Sequence, residues 1–155
     1  MPKGAWLVQQ GQVCQSLFFL LRGSCRYITQ TEAGDERVVN LHIEHDWMAD
    51  YTSLTAQKPA EGGILAQEEC EVLELALASV HELIKVQPAF FQLGRLLELV
   101  QHPATSHSGQ LSPDAAYQHL LTTRPQLLQK FSLKHIAALL QIAPETVSRV
   151  RKRWK

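Results

Sequence analysis

From Lys3 to about Leu77 the apolar positions come in short runs broken by turn residues about every ten positions, a spacing that predicts strands. Residues 5–8 form the first run, ended by Gly11. Residues 16–21, SLFFLL, are apolar almost throughout, as a strand covered on both faces would be, and Arg22-Gly23 stops them. Residues 24–29 follow. Glu32-Ala33-Gly34-Asp35 reads as a hairpin turn, and residues 37–43 alternate apolar and polar on the return. Residues 62–66 and 71–77 supply two more strands. A sandwich or roll of about eight short strands fits this spacing.

Beyond Leu77 the period changes to that of a helix. Residues 78–86 make a short amphipathic segment ending before Pro88. Residues 89–102, AFFQLGRLLELVQH, place Phe90, Leu93, Leu96, Leu97 and Val100 on one stripe, which predicts a helix packed on the roll or against its own copy in a dimer. Pro103 stops it, and residues 103–109, PATSHSG, read as a hinge. Ser112-Pro113-Asp114 caps a fresh helix over 115–122, and a short helix over 125–130 follows.

The last stretch, SLKHIAALLQIAPETVSRVRKRWK, organises the rest. Leu133, Ile136, Ala137, Leu139 and Leu140 form one apolar helical face; Ile142, Val147 and Val150 form a second, with Pro144 suited to the first turn of a new helix. Two helices joined by a tight corner result. With Ala137 as the small residue where they cross, the surrounding contacts fall on Ile136, Leu140, Ile142, Val147 and Val150, all apolar. The corner needs φ > 0, a place for glycine, and holds Gln141, at some cost in strain or with a slightly different corner. A plain helical hairpin with a solvated charged face is the competing reading.

Charge separates the two. The 15 basic and 15 acidic residues cancel over the whole chain, but residues 1–130 hold 9 basic against 14 acidic side chains, and 131–155 hold 6 basic against Glu145 alone. A cationic end on a neutral chain binds polyanions locally, whereas a solvated face mixes signs. With 45% hydrophobic residues the chain has ample material for a core. No run approaches the ~18 apolar residues of a membrane span, and the first residues lack the apolar centre of a signal peptide, so a cytoplasmic protein without a membrane partner is expected. Cys14, Cys25 and Cys70 are odd in number with no CxxC pair, which favours buried free thiols; the histidines, His102 and His107 among them, read as scattered or loop residues. Nothing resembles a nucleophile elbow, a zinc-binding HExxH or a phosphate-cradling loop, so neither an enzyme nor a cofactor is indicated.

Two segments carry a resemblance. KGAWLVQQGQVCQSLFFLLRGSCRYI, with Gly4, Gly11 and Gly23 at turn positions, resembles the opening of the cyclic-nucleotide-binding roll of the Crp/Fnr superfamily of bacterial transcription regulators, and PETVSRVRK resembles its recognition helix. Asp46, Asp50, Tyr51 and Ser53, in the pattern D-x-x-x-D-Y-x-S, are similar to a subgroup with no assigned effector. The resemblance implies an α+β fold: an N-terminal antiparallel β-roll (a double-stranded β-helix, or jelly roll) over 1–86, a connecting and dimerisation helix with its hinge over 87–110, and a helix-turn-helix unit over 111–155. It also implies a homodimer on double-stranded DNA, although Pro103 and Gly109 interrupt the connecting helix. Full members carry a helix and strand before these residues, so the chain is expected to start late and to leave an edge of the roll exposed.

In that family a carboxylate takes the ribose hydroxyl of the nucleotide and an arginine ten residues later pairs with its phosphate. Here those positions fall on Asp50, beside Tyr51, and on Ala60, beside Glu61. The cation is missing, Lys58 is the one nearby, and the pocket reads as degenerate: cyclic AMP is not expected to bind. At the other end, the resemblance puts Arg149 on guanine, Glu145 on cytosine, Ser148 on a base or phosphate, and Lys134, Thr146, Arg151, Lys152 and Arg153 on phosphates. The alternative is a regulatory or protein-interaction module that keeps the fold and has lost DNA binding.

Overall fold

The computed structural model describes residues 1–101 and 111–154. Seven strands stand among them: β1 (Trp6–Val8), β2 (Ser16–Arg22), β3 (Cys25–Gln30), β4 (Glu36–His42), β5 (Trp47–Met48), β6 (Gly62–Ala66) and β7 (Glu71–Ala76). They form two antiparallel sheets, β1-β6-β3-β4 and β5-β2-β7. The expected roll is present, with seven described strands rather than about eight; an isolated pairing of Val13 with Pro59 joins two loops. The unbroken apolar run of β2 is explained by its place: Ser16, Leu17, Phe18 and Leu20 are all buried, and the strand lies between two neighbours. Between the sheets, Val8, Leu17, Phe18, Leu20, Met48, Leu54 and Ile64 pack into one core. Gly23, at the β2–β3 corner, has φ +105°, and a Cβ there would meet Cys70 Sγ at 2.6 Å and the Glu69 carbonyl at 2.8 Å, so only glycine lets the corner close on that chain.

A short helix, α1 (Tyr51–Ala56), follows β5, and α2 (Leu77–Val86) leaves the roll. The segment expected as one helix over 89–102 is not one. Pro88–Arg95 is a tighter 3₁₀ helix, and α3 (Leu96–Gln101) is α-helical. Gly94 weakens α-helix formation at the join. Leu96, Leu97 and Val100 lie against the roll's core while Phe90 and Phe91 stay exposed, so the stripe takes the first of its two expected partners over that half. The proposed hinge over 103–109, with His102 and His107, lies outside the described residues. Among those described, no helix is long and apolar enough to cross a membrane.

Four more helices follow among the described residues: α4 (Pro113–Thr123), α5 (Pro125–Lys130), α6 (Leu133–Leu140) and α7 (Pro144–Arg153). Their starts follow local chemistry. Prolines occupy the first turns of α4, α5 and α7, and the hydroxyls of Ser112 and Ser132 accept from the N–H groups of Ala115 and His135. Tyr117, Leu120, Leu127, Phe131, Ile136, Leu139, Val147 and Val150 form a second core, which continues into Ile28, Val38 and Leu41 on the outer face of the roll. The helical unit thus stands on the β3–β4 side of the four-stranded sheet, with α6 against β4.

Candidate nucleic-acid interface

The geometry of α7 follows from two valines. Val147 and Val150 are 1% and 0% exposed, locked against the other helices, and they fix which way the remaining side chains point. The corner before α7 closes because Gln141 adopts φ 57°, ψ 39°, the left-handed conformation the pattern demanded, while the N–H of Ile142 bonds back to the Ala137 carbonyl at 3.1 Å. Ala137 is 1% exposed, as the small residue of a close helix crossing should be.

Glu145, Arg149 and Lys152, spaced four and three apart, are all exposed and lie along one face of α7. Thr146 and Ser148 flank that face half-buried. Arg151 is exposed beside a small cleft lined by Tyr117, Phe131 and Val147. Arg153 is engaged: it donates to Asp114, in the first turn of α4, at 2.6 Å. Lys134 is exposed in the first turn of α6. Glu145 in the first turn of α7 and Arg151, Lys152 and Arg153 in its last turn also suit the helix dipole, so all four charges stabilise the helix itself.

The second candidate set lies at α1. Asp50 is 3% exposed and both of its oxygens are used: Oδ1 accepts from the Ser53 N–H at 2.9 Å as the helix cap, and Oδ2 accepts from the Tyr27 hydroxyl at 2.8 Å. Burial, then the bond to Asp50, pushes the Tyr27 phenol above its ordinary range, so it stays protonated and donating. The Ser53 hydroxyl accepts from the Cys14 N–H at 2.8 Å and donates to the Lys58 carbonyl. Ala60 is 3% exposed, its N–H donating to the Gln12 carbonyl and its carbonyl accepting from the Gly11 N–H, both at 2.8 Å. Tyr51 is half-buried, and Glu61 and Lys58 are exposed. Sequence reasoning missed Tyr27, which sits on β3 far from Asp50 along the chain; an aspartate just before Tyr51 was the available signal for the cap. The three cysteines are free and buried, with the sulfurs of Cys25 and Cys70 3.9 Å apart.

A model of the cyclic nucleotide-binding domain matches residues 1–87, more than half of the chain. The chain belongs to that family. It is similar to the cAMP-activated global transcriptional regulator CRP of Salmonella typhimurium, 22% identical over 165 residues that span 97% of this chain and 79% of that one. Among solved structures it is similar to the catabolite activator protein of Thermus thermophilus, 25% identical with a TM-score of 0.57, over 99% of this chain and 75% of that one. FixK2 from Bradyrhizobium japonicum shares the fold at a TM-score of 0.73 and 12% identity, over 98% of this chain and 80% of that one. The roll and helices are those of a Crp/Fnr superfamily regulator, as the two sequence segments implied.

Proposed function

We propose that this Crp/Fnr protein is a DNA-binding transcription regulator that reads the major groove with α7, and that its roll does not take cyclic AMP. The carrying observation is the face of α7: Glu145, Arg149 and Lys152 point outward because Val147 and Val150 are locked inward. Arg149 donates two hydrogen bonds to guanine O6 and N7, Glu145 accepts from cytosine N4, and Ser148 meets a base or phosphate. Lys134, Thr146, Arg151, Lys152 and Arg153 contact phosphates, Arg153 by leaving Asp114. The working units are the roll over 1–86, the connecting segment over 87–110 and the DNA-binding unit over 111–155. Because one recognition helix covers one half-site, the reading includes a homodimer on a two-fold operator.

Two facts support the nucleotide part. The carboxylate that would take a ribose hydroxyl already caps α1 and holds Tyr27, and the position of the phosphate-binding arginine is a buried alanine whose backbone is paired. A buried phosphate without its bidentate cation loses the charge-assisted bonds that dominate such a site. The test is selection of duplexes from a random pool by the full chain. An enriched inverted repeat, bound with an affinity that falls steeply with salt, is expected; no enrichment, or binding indifferent to salt, overturns the reading.

A further inference from the structure

The helical unit does not merely rest on the roll. Residues 1–86 hold 12 carboxylates against six Lys and Arg, while residues 111–155 hold eight Lys and Arg against two carboxylates. The surfaces in contact carry that difference. Lys130, the last residue of α5, lies between two roll carboxylates, 2.9 Å from Glu44 and 3.0 Å from Glu68. Glu44 also accepts from the Gly23 N–H at 3.1 Å and Glu68 from the Ser24 hydroxyl at 2.7 Å, so both are anchored to the β2–β3 corner. Arg124, between α4 and α5, donates to Asp46 and, at 3.3 Å, to the Leu41 carbonyl of β4. The third link is at the helix-turn-helix corner: with the Gln141 amide turned so that its oxygen faces β4, Arg37 donates to it at 2.6 Å from Nη2 and 3.3 Å from Nε. The three links surround the apolar contact of Ile28, Val38 and Leu41 with the helices.

We propose that Arg124, Lys130 and Gln141 are positioning residues that clamp the DNA-binding unit onto the outer face of the roll and so set the direction in which α7 is presented. The part that concerns DNA rests on the function proposed above; the clamp itself does not. It accounts for glutamine at a left-handed corner, where glycine would be unstrained but could not reach Arg37. Burial raises the Glu44 carboxyl, but hydrogen bonds from Lys130 and backbone N–H groups outweigh it, and the Ser24 hydroxyl and then Lys130 lower the Glu68 carboxyl, so both lie below their ordinary range and the links are charged at neutral pH.

The test uses the full chain, the single variant Lys130→Met, and the double variant Lys130→Met with Gln141→Gly. Gln141→Gly removes backbone strain, so a loosening it causes is not a failure of the corner to fold. Hydrogen exchange of β4, measured without DNA, is expected to speed up roughly two- to thirtyfold in the double variant, the effect of losing two partly exposed polar links, while α7 keeps its protection. Small-angle scattering should show a larger particle, and affinity for a selected duplex should fall by a similar factor with the salt slope unchanged. Unchanged exchange and unchanged scattering overturn the clamp. A salt slope lowered by about one in Lys130→Met also overturns it, because Lys130 would then be a phosphate contact. If the parent chain binds no duplex, the proposed function fails, and exchange and scattering still decide the clamp.

Discussion

Replacing Arg149 with alanine separates reading from folding. The side chain is exposed on α7, and among the described residues it takes part in no ion pair. Its loss therefore changes unfolding free energy by less than about 0.5 kcal/mol, the usual range for an unpartnered surface position. A bidentate arginine–guanine contact is worth about 1–3 kcal/mol of discrimination, or roughly 5- to 150-fold at one base pair. Lys152→Ala, one turn further on the same face, removes a phosphate contact instead: every duplex weakens alike, and the log–log dependence on salt becomes shallower by about 0.9. Fluorescence anisotropy on the selected duplex and its single-base-pair variants, from about 50 to about 200 mM salt, reads both effects, with thermal unfolding run in parallel. The reasoning is refuted if Arg149→Ala binds all these duplexes like the parent, if it weakens all of them equally, or if it unfolds well below the parent.

Three further outcomes follow from the geometry. Isothermal titration of the full chain with cyclic AMP should show no binding in the micromolar range; a micromolar dissociation constant would show that Lys58 or another group replaces the missing arginine. His42 is buried and its pKa is pushed down to about 4, chiefly by burial, with Asp46 pulling it up and Arg124 pushing it further down. As pH falls the unfolded chain takes up this proton first, so stability present above about pH 6.5 is lost progressively towards pH 4, by about 3 kcal/mol in all. Urea midpoints should drop over that window and flatten in His42→Gln, ahead of the separate loss from the low-lying Glu44 and Glu68 carboxyls below their ordinary pKa of 4.5; an equal slope in the variant contradicts this. Gly23→Ala should lower stability by more than about 1 kcal/mol in the same assay, because a side chain at φ +105° would also strike the Glu69 carbonyl; parent-like stability would show that the corner can shift.

What could be read from the sequence was what local chemistry decides. Runs such as residues 16–21 and 62–66 became strands, the prolines and serines marked helix starts, and the pattern around Ala137 demanded a left-handed residue where Gln141 has φ 57°. The failures are equally physical. β5 is two residues long and exists because Phe18 and Phe19 pair with Met48 and Trp47, which no local period announces. Residues 89–102 carry a helical stripe, but the stripe cannot say whether its partner is the roll or another copy, nor that Pro88–Arg95 tightens to 3₁₀. Alternation along β4 shows that one face is covered without naming the cover, so Val38 and Leu41 could not be assigned to the helical unit. At the pocket, missing cations are visible as missing letters, whereas the double use of Asp50 by Ser53 and Tyr27 needs coordinates.

The contact between β4 and α6 bears on how a roll of this kind would govern α7. In a two-state regulator an effector acts only through a difference in contact between the states. The Asp50 region reaches β3 directly, since the Tyr27 hydroxyl donates to Asp50 and Tyr27 pairs with Asn40 of β4. From β4 the path continues by packing: Val38 and Leu41 share a core with Ile136 and Leu139 of α6, which share it with Val147 and Val150 of α7. Close-packed interiors pass on displacement rather than absorb it, so Tyr27 and α7 are linked by contiguous contacts through β4 and α6. A ligand that displaced the Tyr27 hydroxyl from Asp50 would act at the start of that route. An uncharged hydrogen-bonding group suits this role better than a cyclic phosphate, because Ala60 and Glu61 offer no cation to receive the charge.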